Sequence, residues 1–136
     1  MRIHALEPKM YNRLRSRLRE IDEELPHRLL VEKSVASRSL IILGDGREDD
    51  VVVSLVCHHL NGSKTADIVK PKSTRYGAIE KLKVYTNVGY NDMVFVLDQE
   101  DDELSVLSEM VRGKLGEVGI ECVEGGRMSG RVMTVL

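Results

Sequence analysis

The sequence predicts an α/β protein: a mainly parallel, four-stranded sheet flanked by helices, preceded by a helical N-terminal segment. Three observations carry this expectation. From residue 39 onward, short apolar runs alternate with segments of helical periodicity. Those runs are nearly continuous, as in strands buried on both faces. With 136 residues, 42% of them hydrophobic, the chain can bury one core but not two comfortable ones. Residues 1–37 are read as an N-terminal helical extension and residues 38–136 as the α/β domain.

Pro8 suits the first turn of a helix, where its missing N–H costs nothing. Beyond it Met10, Leu14, Leu18, Ile21 and Leu25 form an apolar stripe that ends near Pro26. A stripe of this kind is expected to be buried, against the sheet or against a second copy in a homodimer. "HRLLVEKSVA" continues as a second, shorter helix, and "SLIIL" is a buried strand closed by "GDGREDD". "DDVVVSLVCHHLNG" permits two readings. Its valines suit a strand that would pair with "SLIIL" as a hairpin. Asp49 and Asp50 suit a helix N-terminus, Val52, Val53, Val56 and Leu60 fall at helical spacing, and Asn61-Gly62 offers a stop. The helix is favoured. "ADIVKP" is then a strand, "TRYGAIEKLKVYTNVG" a helix ending at Gly89, and "DMVFVLD" a strand. "DELSVLSEMVRGKLGEVG" carries the stripe Leu104, Leu107, Met110, Val111, Leu115 and Val118, with Gly119 past its end. The tail, "ECVEGGRMSGRVMTVL", supplies one or two strands around a Gly-rich turn.

With no Trp and one Phe, the core must be aliphatic. No run approaches the ~20 apolar residues of a membrane span, and the N-terminus lacks the apolar centre of a signal peptide. Cys57 and Cys122 lack framework spacing and read as buried thiols, so a cytoplasmic setting and no membrane partner are expected. Charge is uneven. Residues 1–44 carry nine Lys or Arg against six Asp or Glu (+3), and residues 45–136 carry eleven against sixteen (−5), which together make the net −2. Arg13, Arg15, Arg17 and Arg19 cluster in the first helix, either as its solvated side or as a phosphate-contacting face.

Ligands of parallel sheets sit at the carboxyl ends of the strands, and two strands here end in carboxylates: "LIILGDG" at Asp45, and "VFVLDQEDDEL" at Asp98 and Glu100. Asp98 and Glu100, two apart on extended backbone, can share one ion, with Asp45 as a third carboxylate across the crevice. All three are hard oxygen donors of the kind Mg²⁺ or Mn²⁺ takes, and one of them is a candidate general acid or base. Asp102 is counted with them as a metal ligand. With the ion bound, Asp101 or Asp102 is expected to cap the next helix and Glu103 to lie in solvent near its positive end. The alternative is that Asp101 and Asp102 are caps and Asp98 is merely exposed.

"IILGDGREDDVVVSLV", followed about fifty residues later by "VFVLDQEDDEL", resembles the Toprim domain of topoisomerases, bacterial primases, overcoming-lysogeny-type nucleases and small ribosomal-RNA-maturing nucleases. The resemblance spans roughly residues 38–136. The family's glutamate and glycine map to Asp45 and Gly46, and its Asp-x-Asp pair maps to Asp98 and Glu100. Asp45 is thus one methylene shorter than the family residue and Glu100 one longer, exchanging about 1.5 Å of reach at each. The resemblance implies Mg²⁺-dependent phosphodiester chemistry on RNA or DNA, most simply hydrolysis, with Asp45 as general acid/base and the acidic pair holding the ion. Arg47, Lys70, Lys72 and Arg75 are the expected contacts to the nucleic-acid backbone. A second reading keeps the Toprim outline without catalysis, as a module that binds nucleic acid or a protein.

Other patterns carry less. His58, His59 and Cys57 lack zinc-ligand spacing to a second cluster. "GDGREDD" lacks the terminal Glu of a calcium loop. Asp98 after a strand suits a response-regulator phosphoacceptor, but Asp45 and Lys70 stand in the wrong order for that chemistry. "CVEGGRMSGR", with Arg127 and Arg131, reads as a hairpin turn before a phosphate cradle.

Overall fold

The structure, a computed structural model, describes residues 1–32, 39–44, 46–60, 64–71, 77–90, 92–97, 100–119 and 132–135. Along the chain run β1 (Arg2–Ala5), α1 (Pro8–Ile21), α2 (Leu25–Leu29), β2 (Ser39–Leu43), α3 (Asp49–His59), β3 (Thr65–Val69), α4 (Gly77–Glu80), α5 (Leu82–Val88), β4 (Asp92–Val96), α6 (Leu104–Glu117) and β5 (Val132–Val135). All strand pairings are parallel, in the order β1-β3-β2-β4-β5. The strands expected from residue 39 onward are present, and "DDVVVSLVCHH" is helix α3, not the second arm of a hairpin.

The sheet has a fifth strand that the sequence reading missed. β1 comes from the segment expected to be purely helical and lies in register with β3, Ile3 opposite Ala66 and Ala5 opposite Ile68. Four residues alternating Arg, Ile, His and Ala are too few to stand out as a period, yet enough for an edge strand. The outer side of β1 is covered in turn: Val31 N–H donates to the Ile3 carbonyl at 2.8 Å beside a parallel bridge from Ile3 to Leu30.

Alternation along β2 divides the core. Leu40 and Ile42 face α4 and α6, packing with Met93, Phe95, Ile79, Leu107, Val111 and Leu115. Ile41 and Leu43 face the other side, with Ile3, Ala66, Ile68, Met10 and Cys57. An outer layer of Leu14, Leu18, Leu29, Leu30 and Val51 joins α1, α2 and α3. The expected stripe of α1 is therefore spent largely inside one chain: Met10, Leu14 and Leu18 are buried, Leu25 is half-buried, and Ile21 is 58% exposed just where the helix ends. α6 follows expectation more closely, burying Leu107, Val111 and Leu115 and ending at Gly119, whose φ of +81° suits a glycine.

α3 departs from expectation in the face it buries. Its inner residues are Asp50, Val51, Ser54 and Cys57, while Val52, Val56 and Leu60 of the apolar pattern point outward. An ion pair sets this orientation. Asp50, 1% exposed, accepts from Arg13 of α1, and Ser54 Oγ donates to the Asp50 carbonyl at 2.7 Å. Burying a valine in place of Asp50 would leave Arg13 without its carboxylate. The other departure is a break at Lys81, which divides the expected single helix into α4 and α5; α5 then stops before Gly89, at φ +108°.

Candidate functional site

From β2 the chain moves to β3 on one side, then crosses to β4 on the other. α3 and α6, which leave β2 and β4, pack on opposite faces of the sheet. That reversal of winding makes the carboxyl ends of β2 and β4 a topological switch point, the crevice position at which open parallel α/β sheets take their ligands. β2 and β4 end level: Leu43 lies opposite Val96, and Gly44 N–H donates to the Val96 carbonyl at 2.9 Å. In sequence, Asp45 follows Gly44, and Asp98 follows Leu97.

The loop from β2 to α3 is held from two directions. Arg13 donates from Nη1 to Asp50 Oδ2 and from Nη2 to the Arg47 carbonyl at 2.7 Å, and it lies 3.7 Å from Glu48. Arg17, one turn further along α1, reaches Glu48 at 3.1 Å. The hydrogen bond to Asp50 is the main reason the Arg13 guanidinium is held above its ordinary pKa, with burial opposing. From the other side Lys70, one residue past β3, donates from Nζ to the Gly46 carbonyl. Gly46 itself lies against Asp49 so closely that a Cβ there would overlap the Asp49 carboxylate. The N-terminal helix thus braces the loop that leads out of β2.

Of the expected site residues, Asp45, Asp98, Lys72 and Arg75 lie outside the described residues. Arg47 is exposed beside the crevice loop, and its carbonyl is the one that Arg13 holds. Lys70 is half-buried; one of its three ammonium donors is given to Gly46, which places it at this loop as a brace as well as a cation. Glu100 is exposed on the β4–α6 turn with φ +53°, a left-handed backbone rarely adopted outside glycine and costing roughly 1 kcal/mol or more. Asp102 is half-buried two residues further on. The capping expectation needs correcting in its position: the N-cap of α6 is Glu103, whose own side chain makes no capping hydrogen bond, and not Asp101 or Asp102. Glu103 is exposed, as expected. Arg127, Arg131 and Cys122 also fall outside the described residues.

A second polar feature, missed from sequence, lies within the sheet. Asp67 of β3 is 4% exposed, and its Oδ2 accepts from the Tyr90 hydroxyl at 2.5 Å. Burial first, and the Asp67 carboxylate second, push the Tyr90 phenol well above its ordinary pKa, so it stays a donor. Oδ1 of Asp67 has no hydrogen-bond partner among the described residues. The visible signal was a single acid within the otherwise apolar run of "ADIV". His58 and His59 are both exposed.

The chain is a parallel α/β protein with helices on both faces of its sheet, and the switch point of its winding lies between β2 and β4. No family model, curated protein or solved structure matches the chain. Among the described residues no group of three His, Cys, Asp or Glu side chains converges to hold a metal, and no helix is long and apolar enough to cross a membrane.

Proposed function

We propose that the crevice between β2 and β4 binds a divalent cation, Mg²⁺ or Mn²⁺, and carries out phosphodiester chemistry on nucleic acid, most simply hydrolysis. One observation carries the reading: the two strands whose sequences run into carboxylates are neighbours, end level, and flank the point where the winding of the sheet reverses. From β2 onward, Asp45-Gly46 follows one strand and Asp98 to Glu100 a later one, an order that supports the Toprim resemblance even though β1 precedes it. The donors, Asp45, Asp98, Glu100 and Asp102, are all carboxylates, which suits a hard cation. The ion would supply charge stabilisation at the leaving oxygen. Asp45 is the candidate general acid/base, and the braces from Arg13 and Lys70 would keep its loop in place. Arg47, Lys70, Lys72 and Arg75 would meet the phosphate backbone.

The test is cleavage of end-labelled single- and double-stranded RNA and DNA, in Mg²⁺, in Mn²⁺ and in chelator. Cleavage should require the ion, and Asp98→Asn or Asp45→Asn should lower it by about 10²-fold or more. Binding of nucleic acid without cleavage under any of these conditions would replace this reading with that of a non-catalytic module.

A further inference from the structure

The four arginines of α1 divide into two pairs with different fates. Arg13 and Arg17 each meet acids: Asp50 and Glu48 for the first, Glu20 and Glu48 for the second. Arg15 and Arg19 lie two residues along from them, about 200° around the helix. They are exposed, one turn apart, and make no ion pair among the described residues. Like charges at this spacing repel, so the pair is a standing cost that an anion would relieve. Both line a cavity of about 370 Å³ with Arg2, Tyr11, Glu23 and Glu32. This volume falls within the range of small-molecule sites.

Arg2 makes the cavity a built one. It opens β1, and its Nη2 donates to the carbonyls of His27, at 3.2 Å, and Leu30, at 2.6 Å, at the end of α2. The guanidinium is thereby fixed in place, with its Nε and Nη1 hydrogens left over. Three guanidinium groups in one cavity are suited to phosphate oxygens, which they can bind bidentately. Glu23 and Glu32, also without an ion pair among the described residues, offer acceptors for hydroxyl or amino groups on the body of a ligand. Tyr11 offers a half-buried ring. This cavity starts at the first residue of β1, whereas the carboxylate crevice lies at the opposite ends of the strands.

We infer that the cavity between α1, α2 and the start of β1 binds a small phosphate monoester carrying hydrogen-bond donors, such as a nucleotide or a sugar phosphate, through Arg2, Arg15 and Arg19. The site is independent of the carboxylate crevice, and chelator keeps the two apart in the experiment. The melting temperature of the full chain in chelator is titrated with adenosine monophosphate, ribose 5-phosphate, inorganic phosphate and adenosine. At least one of the two monoesters should raise it at lower concentration than inorganic phosphate, and adenosine should not raise it. The better of the two monoesters identifies the source of the phosphate. Arg15→Gln with Arg19→Gln, both at exposed positions, should weaken binding about tenfold or more, while Arg17→Gln should leave it unchanged. Circular dichroism of each variant confirms that it is folded. No shift with either monoester, an equal shift in the double variant, or inorganic phosphate binding as tightly as both monoesters would overturn the inference.

Discussion

Arg13 is the residue through which the N-terminal segment and the crevice loop depend on each other. Its guanidinium is about two-fifths exposed, while its partner Asp50 is almost wholly buried. Removing the arginine leaves a buried carboxylate with one backbone donor among the described residues, Val51 N–H at 3.0 Å. A fully buried pair broken this way costs 3–5 kcal/mol; with one partner partly in water, about 2 kcal/mol is expected for Arg13→Ala. Chemical denaturation measures it, and Arg13→Ala with Asp50→Ala should recover part of the loss. Arg15→Ala, on the unpaired side, should change stability by less than about 0.5 kcal/mol.

Cys57 makes a separate residue-scale prediction. Burial pushes its thiol above the ordinary pKa, with the N-terminal ammonium opposing weakly. The neutral thiol is therefore favoured in the fold. Its contribution is complete below the unfolded pKa, near 8.5, and is lost as pH rises through the folded one. Stability should fall as pH rises above about 8.5, and Cys57→Ala should flatten that slope even if it lowers stability at neutral pH. An unchanged slope in the variant would show that other groups control alkaline unfolding.

Among the elements, α1 gives the sharpest contrast. Leu14 is fully buried, whereas Ile21 is exposed in the last turn of the helix. Leu14→Ala should cost about 3 kcal/mol, and Ile21→Ala less than about 1 kcal/mol. Equal costs would mean that the stripe is covered along its whole length, as in a dimer; a sedimentation measurement on wild type and Ile21→Ala would then show it. The strands with continuous apolar runs, the Pro8 start of α1 and the Gly89 and Gly119 stops were all legible, because each follows from a local rule. β1 was not, because an edge strand of four residues is specified by its neighbour β3 more than by itself. The buried face of α3 was not either, since the pairing of Asp50 with Arg13, 37 residues away, outweighs the apolar count. Of the site, sequence supplied the carboxylates and their order, while the bracing by Arg13 and Lys70 needed the topology.

At the scale of the whole molecule, the proposed cation site would account for the acidic run that follows β4. Five carboxylates between Asp98 and Glu103 repel one another, and the opening of the crevice between β2 and β4 is where a cation would offset that repulsion. The left-handed backbone at Glu100 adds a local cost in the same turn. A cation that binds only the folded chain should stabilise it by mass action, by about 2.7 kcal/mol at a hundredfold excess over Kd. For a domain of this size that is roughly 8 °C in Tm. The most direct measurement is Tm against Mn²⁺ and Mg²⁺ concentration for wild type, Asp98→Asn and Glu103→Gln. The account predicts a saturable rise in wild type, its loss in Asp98→Asn with the fold intact, and a rise close to that of wild type in Glu103→Gln. No rise with either ion, or an undiminished rise in Asp98→Asn, would contradict it.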